Sequence, residues 1–218
     1  MITEVQVFYV GIVLAAYLCG SIPFGFLIGK MRNVDLRTVG SKNIGATNVY
    51  RTVGKGWGIL AFACDFLKGL LPTLFVGWFF DVKELNPMCP DCNLIYAPLV
   101  AGVMTVVGHM FTCWMKFKGG KGVATGFGML VALVPWIVLT CFALFVVTVW
   151  ISHYISLGSI LAAALLSILV WIPMDFINHP GFHNIPLCIV ITLVGVASIW
   201  KHRTNIKRLV DGNENKIY

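Results

Sequence analysis

Two stretches of this 218-residue chain carry groups suited to holding an oxyanion. The first is GSKNIGATNVYR, Gly40 to Arg51. Ser41, Asn43, Thr47 and Asn48 supply hydroxyl and amide groups, and Arg51 supplies a planar fork that matches phosphate. Gly40 and Gly45 permit tight or left-handed backbone around them. The second stretch is KFKGGKG, Lys116 to Gly122, which leads directly into an apolar helix beginning at Val123. Gly119, Gly120 and Gly122 let backbone N–H groups approach an anion, the helix start presents further donors, and Lys118 and Lys121 add charge. Its spacing is not GxxxxGK[ST], so this is the logic of a phosphate cradle without the Walker A pattern. Taken singly, each stretch also fits a solvated turn that carries positive charge.

Two further polar segments accompany them, SLGS at Ser156 to Ser159, expected as an inner turn, and HRTNIKRL at His202 to Leu209. In the latter, His202, Asn205 and Leu209 recur at spacings of three and four and share one face if the segment is helical. His202 has an intrinsic pKa suited to a general base, and is equally placed to donate to phosphate or to end a span. Asp65 and Lys68 lie three apart in an otherwise apolar run, where charge is expensive; they read as a structural ion pair rather than as catalytic groups.

Several chemistries are excluded by what is missing. None of the five histidines is followed by an acid five positions later, the spacing of thioester-using acyltransferases, and no G-x-S-x-G elbow occurs. The cysteines offer one close pair, Cys89 and Cys92, which suits a disulfide better than a metal site. No cofactor and no metal are expected.

The elements that must position these groups are apolar helices. The chain is 58% hydrophobic and 11% charged, against roughly a quarter charged in soluble domains. From Val5 to Gly29 there is no charged residue, long enough to cross a hydrocarbon core. The start MITE lacks a basic segment, so a cleaved signal peptide is not expected. The net charge of +7 has no long basic run with interleaved aromatics behind it, which argues against nucleic acid. Instead, fourteen of the sixteen Lys and Arg fall at Lys30–Lys55, Lys116–Lys121 and Lys201–Lys216, and the positive-inside rule places those blocks in the cytoplasm.

This alternation predicts an all-α integral membrane protein of a single domain, 1–218, with seven crossings, some of them short. The expected spans are 5–29, 57–80 and 94–112, three short ones within 123–174, and 185–200. The N-terminus then lies outside and the C-terminus inside. Pro135 and the polar stretch from Ser152 to Ser156 supply the breaks. The helix 122–134 would reach only about 20 Å. Two long tilted helices are the alternative for 123–174. In either case the polar motifs gather at the inner surface.

In order along the chain, SIPFG at Ser21–Gly25, GSKNIGATNVYR, the D-x-x-KG of Asp65–Gly69, GHMF at Gly108–Phe111, KFKGGKG, SLGSI and HRTNIKRL resemble the bacterial membrane family of acylphosphate:glycerol-3-phosphate acyltransferases. The resemblance spans nearly the whole chain. It implies seven helices in the bacterial cytoplasmic membrane and an active site facing the cytoplasm. It also implies a reaction, transfer of a fatty acyl group from acyl phosphate to the 1-hydroxyl of glycerol 3-phosphate, giving lysophosphatidic acid and phosphate. Carried over by motif, Ser41, Arg51, Lys121, His202 and Asn205 are the catalytic candidates. Asn43, His109, Lys118, Gly119, Gly120, Gly122 and Ser159 are the substrate-binding candidates. Lys42 stands where the family usually has Gly, and Thr112 where Pro commonly follows GHxF. Expected partners are glycerol 3-phosphate, acyl phosphate, membrane lipid and the enzyme that makes acyl phosphate. An acyl phosphate is a mixed anhydride with a good leaving group, so no acyl-enzyme is required. The competing class is a transporter of an anionic lipid precursor, which uses similar broken helices and inner anion sites; the absence of corresponding halves in the sequence argues against it.

Overall fold

The computed structural model describes residues 4–81, 96–172 and 185–217, and every regular element among them is helical. Cys89, Cys92 and the tract MDFINHPGFHNIP, apart from Ile185 and Pro186, lie outside the described residues. Among the described residues there are ten α-helices: α1 Glu4–Ser21, α2 Phe24–Met31, α3 Ala46–Thr52, α4 Lys55–Asp81, α5 Ala97–Met110, α6 Val123–Leu133, α7 Pro135–Ser152, α8 Ile155–Leu169, α9 Ile185–Lys201 and α10 Arg203–Val210. Helices are what such sequences must form in hydrocarbon, because each satisfies its own backbone polar groups. Four segments are long and apolar enough to cross a membrane: 6–31, 55–79, 97–115 and 135–152. The pair α9 and α10, bent by 52° at His202, makes a fifth if the two form one span, while α6 and α8 are shorter apolar helices. The chain divides into two compact units, Met1–Leu133 and Val134–Tyr218.

In the first unit α1 packs along α5, and α4 packs against α5 and α6. Close approach is bought with glycine: a side-chain carbon at Gly108 would collide with the backbone of α1 at Tyr17, and one at Gly128 with the Phe66 carbonyl of α4. Ile12, Ala16, Ala97 and Ala101 form a buried cluster between α1 and α5.

The first span, expected to be continuous, breaks at Ile22–Pro23 into α1 and α2. Proline removes one helix hydrogen bond and crowds another, which strands carbonyls in an apolar setting. The structure meets them with side chains from elsewhere. Thr112 Oγ1 donates to the Ser21 carbonyl at 2.6 Å, and Lys68 Nζ donates to the Ile22 carbonyl at 2.9 Å. Thr112 thus has a defined task here.

In the second unit α8 packs between α7 and α9, and α10 lies on both α8 and α9. The segment 123–172 forms three helices, broken at Pro135 and at His153–Tyr154, as expected from the sequence. At 11 residues, α6 extends only about 17 Å. The Ser156–Ser159 stretch, expected as a turn, is instead the first turn of α8. His153 takes a left-handed conformation, φ 63°, to end α7. One residue later the chain re-enters a helix, so only His153 and Tyr154 of the polar stretch lie in the break, with Ser152 ending α7 and Ser156 inside α8.

Candidate functional site

The Gly40–Arg51 stretch is organised from within by Asn48, which is buried. Its Oδ1 accepts the backbone N–H of Ser41 at 3.0 Å, and its Nδ2 donates to the carbonyls of Leu36, Val39 and Asn43 at 3.2, 3.2 and 2.9 Å. One amide side chain therefore ties four backbone groups into a fixed turn. Asn43 is turned to the same end, its Oδ1 accepting the Gly45 N–H at 2.9 Å. Asn43, assigned to substrate from sequence, thus holds its own backbone with that oxygen. Gly40 and Lys42 both have left-handed backbone, φ 57° and 58°. At Lys42 a β-carbon in that conformation costs roughly 1–2 kcal/mol. The second half of the stretch is helix α3, which carries half-buried Arg51 on its last turn.

The glycine-rich segment folds back on the end of α5. Lys116 and Phe117 are left-handed, φ 53° and 60°, and reverse the chain. The N–H groups of Gly119 and Gly120 donate to the carbonyls of Met110 and His109 at 3.2 and 3.0 Å. This corrects one expectation: those two amides are committed to α5 and are not presented to an anion. The first-turn amides of α6, which by helix geometry have no intrahelical acceptor, follow just after Lys121. Gly122, φ 83°, makes the bend between them. Lys118 is exposed, whereas Lys121 is half-buried.

His109, also assigned to substrate from sequence, lies beneath this loop instead. It is buried, with Nδ1 3.5 Å from Asp65 Oδ1. Its Nε2 is pressed against Gly120 so closely that a side-chain carbon at that position would collide with it. Asp65 in turn holds Lys68 at 2.7 Å, both side chains about 3% exposed, so the ion pair expected from the sequence is present.

In the second unit, His202 sits in the bend between α9 and α10 and is buried. Its Nδ1 lies 2.9 Å from the Ser198 carbonyl. A carbonyl only accepts, so Nδ1 carries the proton and a neutral ring keeps its lone pair on Nε2. Asn205, one turn on, is buried and donates from Nδ2 to Glu214 Oε1 at 2.8 Å. Ser156 Oγ donates to the same oxygen at 2.9 Å, and Arg208 Nε to Glu214 Oε2 at 2.7 Å. Ser159 is buried, its hydroxyl donating back to the Ile155 carbonyl at 2.9 Å.

Glu214 was missed from the sequence. The available signal was an acid inside a basic segment, the block from Lys201 to Lys216 that otherwise carries five Lys and Arg and only Asp211 besides. Burial pushes the Glu214 carboxyl up, but the three hydrogen bonds and the Arg208 charge outweigh it and hold the group below the usual glutamate range. It is therefore a carboxylate at neutral pH. Asn48 was named as one donor among several; its role as the hub of the turn was not legible. Among the described residues no group of three or more His, Cys, Asp or Glu is placed to hold a metal ion.

Residues 10–212 match the family model described as glycerol-3-phosphate acyltransferase. A curated glycerol-3-phosphate acyltransferase from Trichlorobacter lovleyi is 43% identical over 202 residues, 93% of this chain and 94% of its own. One from Fusobacterium nucleatum is 40% identical over 207 residues, 94% and 96% of the two chains. Among solved structures, PlsY (YgiH), an integral membrane glycerol 3-phosphate acyltransferase, in its glycerol 3-phosphate form is similar with a TM-score of 0.78 at 35% identity, covering 95% of this chain and 94% of that one. Its lysophosphatidic acid form gives a TM-score of 0.76 at 34% identity with the same coverage.

Proposed function

The chain belongs to the glycerol-3-phosphate acyltransferase family, and on that premise we propose that its donor is acyl phosphate and its product lysophosphatidic acid. The 1-hydroxyl oxygen of glycerol 3-phosphate attacks the acyl carbonyl carbon, the bond from that carbon to the phosphate oxygen breaks, and inorganic phosphate leaves. The hydroxyl proton passes to His202 Nε2 or to a phosphate oxygen of the bound substrates.

The observation that carries this reading is the seat of Lys121. It stands between a loop fixed to α5 by the Gly119 and Gly120 amides and the first-turn amides of α6. A cation beside helix-start donors suits the phosphate of either substrate and the charge that develops on the leaving group. Arg51, with Ser41, Ser159, His202 and Asn205, is assigned to the other phosphate and the attacking hydroxyl. The fixed turn around Asn48 supports the part given to Ser41, because it holds that residue without a mobile backbone. PlsY is known in glycerol 3-phosphate and lysophosphatidic acid forms, which fits the same substrate and product here.

The proposed topology has seven crossings of the bacterial cytoplasmic membrane, the N-terminus outside and the basic motifs facing the cytoplasm. The positive-inside distribution supports it. The acyl tail of the donor stays in lipid, and the enzyme that makes acyl phosphate is the expected supplier.

The test is acyl transfer by the purified protein in lipid with radiolabelled glycerol 3-phosphate, offering acyl phosphate, acyl-CoA or acyl carrier protein thioester. Labelled lysophosphatidic acid from acyl phosphate alone is the expected result. Product from a thioester instead would overturn the donor assignment, and no product from a folded protein with any donor would favour the anion transporter.

A further inference from the structure

Asp65, Lys68 and His109 form a buried polar cluster in the first unit that none of the assigned catalytic roles uses. Asp65 is 2% exposed, Lys68 5% and His109 7%. A buried ion pair is seldom kept for stability, since apolar side chains of similar volume commonly serve as well. Lys68 is accounted for by the fold: it caps the Ile22 carbonyl at the break between α1 and α2, and its ammonium lies 5.6 Å from the centre of the Phe24 ring. Asp65 has no such duty at the break. Its Oδ1 is shared between Lys68 Nζ at 2.7 Å and His109 Nδ1 at 3.5 Å.

The ring of His109 is a wedge. Its Nδ1 lies 3.5 Å from Asp65 Oδ1 on α4, and its Nε2 lies against Gly120, where no side chain has room. The carbonyls of His109 and Met110 accept from Gly120 and Gly119, so the same residue holds the loop by its backbone and props it with its ring. Only Lys121 and Gly122 separate that contact from the start of α6. We propose that Asp65 is a positioning residue which, by orienting the His109 imidazole, sets the height of the Gly119–Gly120 turn and thereby the position of Lys121. Lys68 makes this tolerable inside an apolar bundle by neutralising the carboxylate. The inference rests on Lys121 acting at a substrate phosphate, as proposed above.

The experiment measures hydrogen exchange in the 116–122 segment alongside kcat and KM for both substrates, in the full chain in lipid. Two sites are altered, in three variants. Asp65→Asn combined with Lys68→Gln removes the charges as a pair while leaving Gln a donor for the Ile22 carbonyl. His109→Leu removes the ring, and His109→Gln restores an N–H donor toward Asp65. Expected is faster exchange at Gly119 and Gly120 with unchanged protection along α1 and the middle of α4. A roughly ten- to hundredfold fall in kcat/KM should accompany it, partly recovered in His109→Gln relative to His109→Leu. Wild-type exchange and kinetics in both alterations would overturn the proposal. Slower turnover with wild-type exchange would also overturn it, because the residues would then act on substrate directly. Loss of protection throughout α4 and α5 would mark a structural role and do the same. Faster exchange with unchanged kinetics would instead refute the phosphate role of Lys121, and the positioning role with it.

Discussion

Asn205 donates to Glu214 at 2.8 Å, so a residue assigned to the reaction by its motif is held by a carboxylate nine positions further on. The same carboxylate gathers Ser156 from the start of α8 and Arg208 from α10, while the Ile217 N–H donates to the His153 carbonyl at 2.9 Å. The chain after α10 is thus a strap over the break between α7 and α8. Replacing Glu214 by Ala leaves three buried or half-buried donors without their acceptor, at about 1–3 kcal/mol each in the least favourable case. A lowered thermal midpoint in detergent, with acyl transfer falling alongside, is the expected outcome, and Glu214→Gln should be milder on both counts.

The pH dependence of that strap has a definite sign. Because Glu214 is held below the ordinary glutamate value when folded, its contribution is present above the unfolded pKa, about 4.3, and is lost as pH falls through the folded value. Thermal midpoints measured from pH 7 downward should decline below about pH 4.3 in the native chain, and decline less in Glu214→Gln. Asp35, which hydrogen bonds from Arg37 hold at about 2, is exposed and common to both proteins, so it drops out of the difference.

Asn48→Ala is expected to be among the most damaging single changes in the first polar stretch, although Asn48 is no candidate catalytic group. Its loss strands the Ser41 amide and leaves three carbonyls short of a donor at a site 1% exposed. A loss of about 1–3 kcal/mol is expected, with kcat/KM falling more than it does for Thr47→Ala. Parallel thermal melts and kinetics of the two variants check this.

Lys42→Gly separates charge from backbone. Relief of the left-handed conformation gains about 1–2 kcal/mol, and the added freedom of glycine in the unfolded chain returns about 0.5–1 kcal/mol. Stability should therefore rise slightly or stay level. If Lys42 also attracts substrate anions, KM for glycerol 3-phosphate rises at low salt, and the difference from the native chain shrinks as salt is added.

His202→Gln tests the route of the proton. With Nδ1–H committed to the Ser198 carbonyl, only Nε2 can act as base in the neutral ring. A base role predicts a large fall in kcat and loss of the acidic limb of the pH–rate profile. Near-normal turnover would assign the proton to a substrate phosphate instead.

The helical class, the membrane setting and the breaks at Pro135 and His153 were legible because they depend on local rules: apolar length, charge placement and the missing N–H of proline. The tight backbone was legible for a related reason, since Gly40 and Gly122 advertise left-handed conformations by their type and both adopt them. What lay beyond the sequence were pairings between distant positions. Gly119 and Gly120 look like anion donors until the end of α5 is seen to take their amides. His109 and Asn43 look like ligands until one is found beneath Gly120 and the other closing its own turn. Glu214 looks like an ordinary tail residue until Ser156, 58 positions away, is found donating to it. A hydrogen-bonding side chain declares by its type that it needs a partner in a dry environment; which partner it takes is decided by the packing of helices, because only that brings the two within reach.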